Sequence, residues 1–174
     1  MSDWKTQLRY FACHSIVEER CTCGRHDCSS AGKHPHEKGW RERATNDPAL
    51  VAAIHGDPAI NPAIATGKVS NILVLDIDGQ EGSDSLSQLA EENNATLPRT
   101  YTVKTGRLEG GWQKYFLYPS TPLPNSVKFR PGLDVRSDGG YVIAVGARHV
   151  SGRNTRSSVK RIWQSYLSGC CRKC

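Results

Sequence analysis

Residues 71–82 read NILVLDIDGQEG, an apolar run that ends on two carboxylates, Asp76 and Asp78. Residues two apart in a strand point to the same face. The two acids therefore stand side by side with like charges repelling, and a cation is expected between them. A turn at Asp78-Gly79 closing a buried strand is the plainer alternative. It accounts for Asp78 and leaves Asp76 without a reason.

The neighbouring segments give this strand its setting. Downstream, "SDSLSQLAEENN" places Leu86, Leu89 and Ala90 on one helical face, and "TYTVKTG" reads as a strand. Strand, helix, strand in that order predicts a right-handed βαβ unit with both acids at the carboxyl end of its first strand, where ligands sit in such sheets. Further strands are expected at "WQKYFLY", "GLDVR" and "GGYVIAV", separated by the turn-rich "PSTPLPNS" and "SDGG". Upstream, "AIAT" reads as a strand. "NDPALVAAIHG" reads as a helix capped by Asp47, with Pro48 in its first turn and Leu50, Val51 and Ile54 facing inward. Trp4, Leu8 and Phe11 fall at helical spacing. Helices and strands are mixed, which predicts an α+β domain.

The chain has 174 residues, enough for one domain with its own core. A formal net charge of +6 favours a polyanionic partner without requiring one. No apolar run approaches the roughly 20 residues of a membrane span, and "MSDWKTQLRY" lacks the apolar core of a secretion signal. A cytoplasmic location is expected, with no membrane partner. The seven cysteines lie near the ends, Cys13, Cys21, Cys23 and Cys28 in one group and Cys170, Cys171 and Cys174 in the other. An odd count without a secretion signal points to thiol or metal chemistry over a disulfide framework.

A third acid would turn the pair into a metal site. Asp134, between Leu133 and Val135, is placed on a strand face opposite the buried residues. Carboxylates on neighbouring strands suit Mg²⁺ or Mn²⁺, hard ions that prefer oxygen ligands. An ordinary ion pair with Arg136, on the same face, explains Asp134 equally well.

The wider sequence separates these readings. "GKHP....GW....ATND", "ATG....ILVLDIDG.EG..SL..L", "LP.TYTVKTG...GGW.KYF" and "LDVRSDGGYVIA...RHVSG" together resemble the prim-pol domain of the archaeo-eukaryotic primase superfamily, over roughly Phe11 to Gly152. The resemblance implies a bifunctional DNA primase and polymerase of plasmid, phage or bacterial replication. Its implied fold is an RRM-like βαβ core joined to a smaller N-terminal αβ unit, with the active site between them. Asp76, Asp78 and Asp134 would be its catalytic carboxylates and would hold Mg²⁺ or Mn²⁺. The partners it implies are a single-stranded DNA template and (d)NTPs, and it leaves open a replicative helicase.

In "GGWQKYF" the family commonly has a histidine where Gln113 stands, and that histidine helps bind the nucleotide's phosphates. A glutamine amide donates a hydrogen bond but carries no charge. A catalytically weakened module that still binds single-stranded DNA is therefore the alternative function. Lys33, Arg136 and Arg148 are candidates for phosphate contacts. "VLDIDG" also resembles the first motif of haloacid dehalogenase phosphatases. In that family, however, the motif lies near the chain start and is followed by Thr, whereas Gln80 follows Gly79 here.

His14, Cys21, Cys23 and Cys28 form H-x6-C-x-C-x4-C, one imidazole and three thiolates suited to tetrahedral Zn²⁺. Cys13 or His26 could replace His14. Four protein ligands leave no open position, so the zinc is expected to be structural. The expected organisation is a prim-pol domain over residues 1–155, with the zinc loop within 13–28, and a basic, cysteine-containing tail over 156–174. "SVKRIWQSYL" in that tail is at best a short helix.

Overall fold

The computed structural model describes residues 4–158. The tail helix expected in "SVKRIWQSYL" lies almost wholly outside them, and the second cysteine group wholly outside. After a 3₁₀ turn at Trp4–Gln7 come strands β1 (Tyr10–His14), β2 (Ile16–Val17) and β3 (Arg20–Cys21). Helices α1 (Trp40–Arg43) and α2 (Pro48–Gly56) lead to β4 (Ile60–Ala65) and β5 (Ile72–Asp78). Helix α3 (Gly79–Glu92) is followed by β6 (Thr102–Lys104), β7 (Gly111–Leu117), β8 (Ser126–Arg130), β9 (Leu133–Arg136), β10 (Tyr141–Ile143) and β11 (Arg156–Ser157). Among the described residues no helix is long and apolar enough to cross a membrane.

The strands form a three-stranded sheet, β1-β4-β10, a six-stranded sheet, β11-β6-β7-β5-β9-β8, and a small β2-β3 hairpin. Strand β5 pairs antiparallel with β7 on one side and β9 on the other. β6 is antiparallel to β7, so β5 and β6 run parallel with β7 inserted between them. The strand-helix-strand unit is therefore present, but split by a third strand. Two antiparallel neighbours for β5 also differ from the parallel sheet that a doubly wound phosphatase needs.

The two faces of the large sheet have separate tasks. Leu75, Ile77, Trp112 and Leu133 cover one face with Leu86 and Leu89 of α3. The close approach of α3 to β9 requires glycine, because a Cβ on Gly82 would lie 2.1 Å from the carbonyl oxygen of Gly132. The other face buries Ile72, Val74, Val103 and Tyr115 against Leu8, Ile64, Val142 and Ala144. By strand alternation Asp76 and Asp78 continue the face of Ile72 and Val74. They emerge where the core between the two sheets gives way to a cleft.

Two local expectations are corrected. Residues 4–11 do not form one helix; the 3₁₀ turn stops at Gln7, and Phe11 is buried in β1, where its ring stacks on Trp40 at 4.4 Å. Helix α2 is capped by Asp47, whose side chain accepts the N–H groups of Ala49 and Leu50. It buries no residue, however, and Leu50 is 56% exposed. A nine-residue helix laid over a sheet edge covers little, so its apolar spacing overstates its burial.

Candidate active site and metal-binding loop

Register places the acids in one row. Asp76 lies opposite Gln113 of β7 on one side and opposite Asp134 of β9 on the other. Directly opposed residues of antiparallel strands share a face, so all three side chains belong to the cleft side. Asp78, two residues on, ends β5 beside them. Pairing two neighbours with one central strand turned acids almost sixty residues apart into immediate neighbours.

These acids already have cationic partners. Arg136 makes a 2.5 Å ion pair with Asp134, and its Nε stands 3.7 Å from Asp76 Oδ2. That second distance is too long for a hydrogen bond, and Nε is buried with no hydrogen-bond partner. Asp134 Oδ1 also accepts the backbone N–H of Lys128 at 2.6 Å. Arg107 pairs with Asp78 at 2.9 Å. Even so, burial first, and then the charge of Asp78, push the Asp76 carboxyl up to about 6; Asp134 adds to the rise, and Arg136 and Lys33 oppose it. Asp76 therefore carries negative charge that its protein neighbours do not fully offset, which suits a bound cation.

A cavity of about 180 Å³ opens at this row. Asp76, Asp78 and Gln113 form one part of its lining, and Lys33, Arg107, Arg136, Arg148 and His149 supply positive or hydrogen-bonding groups. Asp134 is not among the lining residues; its two oxygens are held by Arg136 and Lys128. Gln113 is 4% exposed, and its Oε1 accepts the Tyr115 hydroxyl at 3.3 Å. The bond leaves the amide N–H₂ as the group that Gln113 can offer the cavity.

Arg136 stands on β9, whereas the other cations arrive outside the main strands, and one buried residue ties the Lys33 and Arg148 segments together. Asn61 of β4 donates from Nδ2 to the carbonyl of Gly32 and to that of Arg148, both at 2.8 Å. Its Oδ1 accepts the Arg148 N–H at 2.8 Å and the Ser15 hydroxyl at 3.2 Å. Lys33 follows Gly32, and its carbonyl accepts the Tyr141 hydroxyl at 2.9 Å. Desolvation, and then the charge of Arg107, lower the Lys33 pKa, while Asp78 and Asp76 act the other way. Lys33 therefore sits within electrostatic reach of the acid pair, as do Gln113 and Arg136 by register; Arg148 reaches the same cavity.

The loop before Lys33 forms the second site. Cys21, Cys23, Cys28 and His34 bring one ligand atom each to within 4.8 Å of one another. Cys21 Sγ lies 3.6 Å from His34 Nε2 and accepts the N–H of Gly32 at 3.5 Å. The N–H of Arg25 draws the Cys23 thiol down to about 6, which favours the thiolate that a metal requires. Three thiols and one imidazole at this spacing fit a tetrahedral ion.

The fourth member corrects the sequence expectation. His14 is not in the group: its Nδ1 is 3.1 Å from the Thr22 hydroxyl, and its ring packs 4.5 Å from that of His34. Cys13 is fully buried in the Phe11 cluster, and His26 is likewise outside the group. His34 takes the place because residues 34–36 run along the free edge of β1. The His14 N–H donates to the His34 carbonyl, and the His36 N–H to that of Ala12, both at 2.9 Å. The signal was available in the His34 of "GKHP", six residues beyond Cys28.

Residues 11–164 match the family described as bifunctional DNA primase/polymerase, N-terminal (Prim-Pol). The chain belongs to the prim-pol family. No curated protein matches it. Two members of the prim-pol cleft, Arg107 and His149, escaped the sequence reading, as did Asn61, which anchors its loops. Arg107 directly follows "KTG" and His149 lies within "RHVSG", whereas Asn61 was hidden as one polar residue in an apolar strand.

Proposed function

We propose that this chain is a template-directed DNA primase and polymerase, transferring a nucleotide from a (d)NTP to a 3′-hydroxyl on a single-stranded template. The observation that carries the reading is the row Gln113, Asp76, Asp134, with Asp78 beside it, at a cavity that also holds four cationic side chains. A set of cations this size suits the phosphate chain of a triphosphate. The strand order β6-β7-β5-β9, with α3 crossing from β5 to β6, supports an RRM-like core. The β1-β4-β10 sheet with α1 and α2 would then be the smaller αβ unit.

Asp76 and Asp78 would hold Mg²⁺ or Mn²⁺, with Asp134 joining them once Arg136 moves aside, and the ions supply activation of the attacking hydroxyl and stabilisation of the leaving pyrophosphate. The chain's own residues bind and orient. Lys33, Arg107 and Arg148 take phosphate oxygens, each as a charge-assisted donor. Arg136, freed from Asp134, turns from a partner of the acids into a further phosphate donor. The Gln113 amide, fixed by Tyr115, adds a neutral hydrogen bond. Zn²⁺ on Cys21, Cys23, Cys28 and His34 would be structural and would hold the loop that delivers Lys33.

The alternative, a weakened module that binds single-stranded DNA, is favoured by Gln113 and by the ion pairs that engage Asp134 and Asp78. Extension of a labelled primer on a single-stranded template with Mn²⁺ decides between them. Metal-dependent incorporation supports the polymerase. Template binding without incorporation supports the module, and hydrolysis of a simple phosphate ester would reject both.

A further inference from the structure

His149 occupies a position in the cavity that resemblance to the family did not assign. The hairpin that carries it is tightly bonded: Gly146 N–H donates to the Thr155 carbonyl at 2.8 Å, Thr155 N–H to that of Ala147 at 2.9 Å, and His149 N–H to that of Arg153 at 2.9 Å. Asn61 holds the adjacent Arg148 backbone through both its N–H and its carbonyl. The imidazole is fixed in turn. Its Cβ packs on Gly106 so closely that a Cβ added there would lie 2.2 Å away. The Ser151 hydroxyl bridges the two segments by donating to the Gly106 carbonyl at 2.6 Å.

The ring's proton is placed by the same hairpin. Nδ1 accepts the Ser151 N–H at 3.2 Å, so in the neutral ring the proton sits on Nε2. Burial first, and then Lys33 and Arg107, lower the His149 pKa, so the ring lies within electrostatic reach of both cations. Nε2 makes no hydrogen bond to the described residues. A cavity-lining imidazole thus presents a fixed N–H donor among Lys33, Arg107 and Arg148.

We propose that His149 is a phosphate-binding residue of this chain, donating its Nε2–H to an oxygen of the nucleotide's phosphate chain. The assignment rests on the nucleotide-site reading above and deepens it. An imidazole is thereby retained in the cavity although residue 113 is glutamine, and it comes from the hairpin instead of from β7. Ser151 is a positioning residue, since its N–H sets the tautomer and its hydroxyl anchors the Gly106 segment.

The test measures binding of Mn²⁺–dGTP and of inorganic tripolyphosphate to the intact chain by calorimetry. His149→Ala is expected to weaken both about ten-fold, equivalent to about 1.4 kcal/mol. His149→Gln, which keeps an N–H donor, is expected to recover most of the loss. Long-range ¹H–¹⁵N spectra of the wild type should show the Nε2–H tautomer and a shift of Nε2 when tripolyphosphate is added, which a purely structural histidine would not give. Should His149→Ala fail to fold, the spectra and His149→Gln still decide. Unchanged binding in His149→Ala, an Nδ1–H tautomer, or an unmoved Nε2 signal overturns the assignment alone. Failure of the wild type to bind either probe overturns the nucleotide site and the assignment with it.

Discussion

The two walls of the cleft are built in opposite ways. The six-stranded sheet presents Asp76, Asp78, Asp134 and Gln113 directly from paired strands, so hydrogen-bond register sets their spacing. Lys33 comes instead from a loop, and Arg148 and His149 from a short hairpin outside both sheets. Their positions depend on Asn61 and on the cysteine loop. Strand-borne groups should therefore tolerate loss of a neighbour without moving, whereas loop-borne groups should fail together when their anchor is removed.

The largest expected effect lies on the strand wall. Asp76→Asn and Asp134→Asn should each reduce Mn²⁺-dependent primer extension by about a hundred-fold or more while the circular dichroism spectrum stays that of the wild type. Extension at wild-type rates in both variants would remove the acids from the site.

On the loop wall, Asn61→Ala strips partners from the Gly32 carbonyl and from both Arg148 backbone groups. A loss of about 2 to 4 kcal/mol of stability follows from several buried hydrogen bonds broken together. Nucleotide affinity should fall as well, although Asn61 does not touch the acids. An Asn61→Ala protein with wild-type melting and wild-type nucleotide affinity would dissolve the contrast between the walls.

Cys23→Ser probes the other anchor. It should release the metal, lower the melting temperature, and weaken nucleotide binding by several-fold because Lys33 follows the loop. Protein purified without chelator and free of zinc by elemental analysis would refute the metal loop.

A smaller effect is expected from pH in the metal-free protein. The folded pKa of Asp76, about 6, lies above its ordinary value of 3.8, so between these values the folded state binds more protons than the unfolded state. The ionised carboxylate thus destabilises the fold in full above about pH 6 to 7, and the penalty is relieved as pH falls towards 4. Asp76→Asn should stabilise the metal-free protein by about 1 to 3 kcal/mol at pH 7.5, and the gain should shrink as the pH drops. A pH-independent difference in melting between the two proteins would reject this account.

The smallest change concerns Gln113. Gln113→His should raise nucleotide affinity, most at acidic pH where the imidazole is protonated, but by less than about ten-fold, because this position is buried and ionising a buried imidazole is opposed by desolvation. The Tyr115 hydroxyl also loses its present acceptor. Competition binding at pH 6 and pH 8 reads the effect, and no difference at either pH would show that residue 113 does not meet the phosphates.

Much of the strand wall was legible beforehand. The alternation in "ILVLDID" put Asp76 and Asp78 on one face, and the flanking apolar residues put Asp134 on a strand, because side-chain direction in a strand is a local property. The cysteine-rich segment announced a metal loop for a similar reason, since thiols close in sequence are close in space. Its fourth member was misread because the choice between His14 and His34 depends on how residues 34–36 lie along β1, a pairing across twenty residues.

What the amino-acid sequence by itself determined was therefore periodicity, composition and motif: an α+β chain, a paired-acid strand end, a thiol cluster, and membership of the prim-pol family. Only the tertiary structure decided that β7 splits the strand-helix-strand unit, that Asp76 stands between Gln113 and Asp134, and that Arg136 holds Asp134. It likewise decided that Arg107 and His149 belong to the cleft and that Asn61 anchors the loops bearing Lys33 and Arg148. The reason is physical: which face a residue takes follows from local backbone geometry, whereas which groups meet across a cleft follows from long-range pairing and packing, and neither leaves a local mark in the chain.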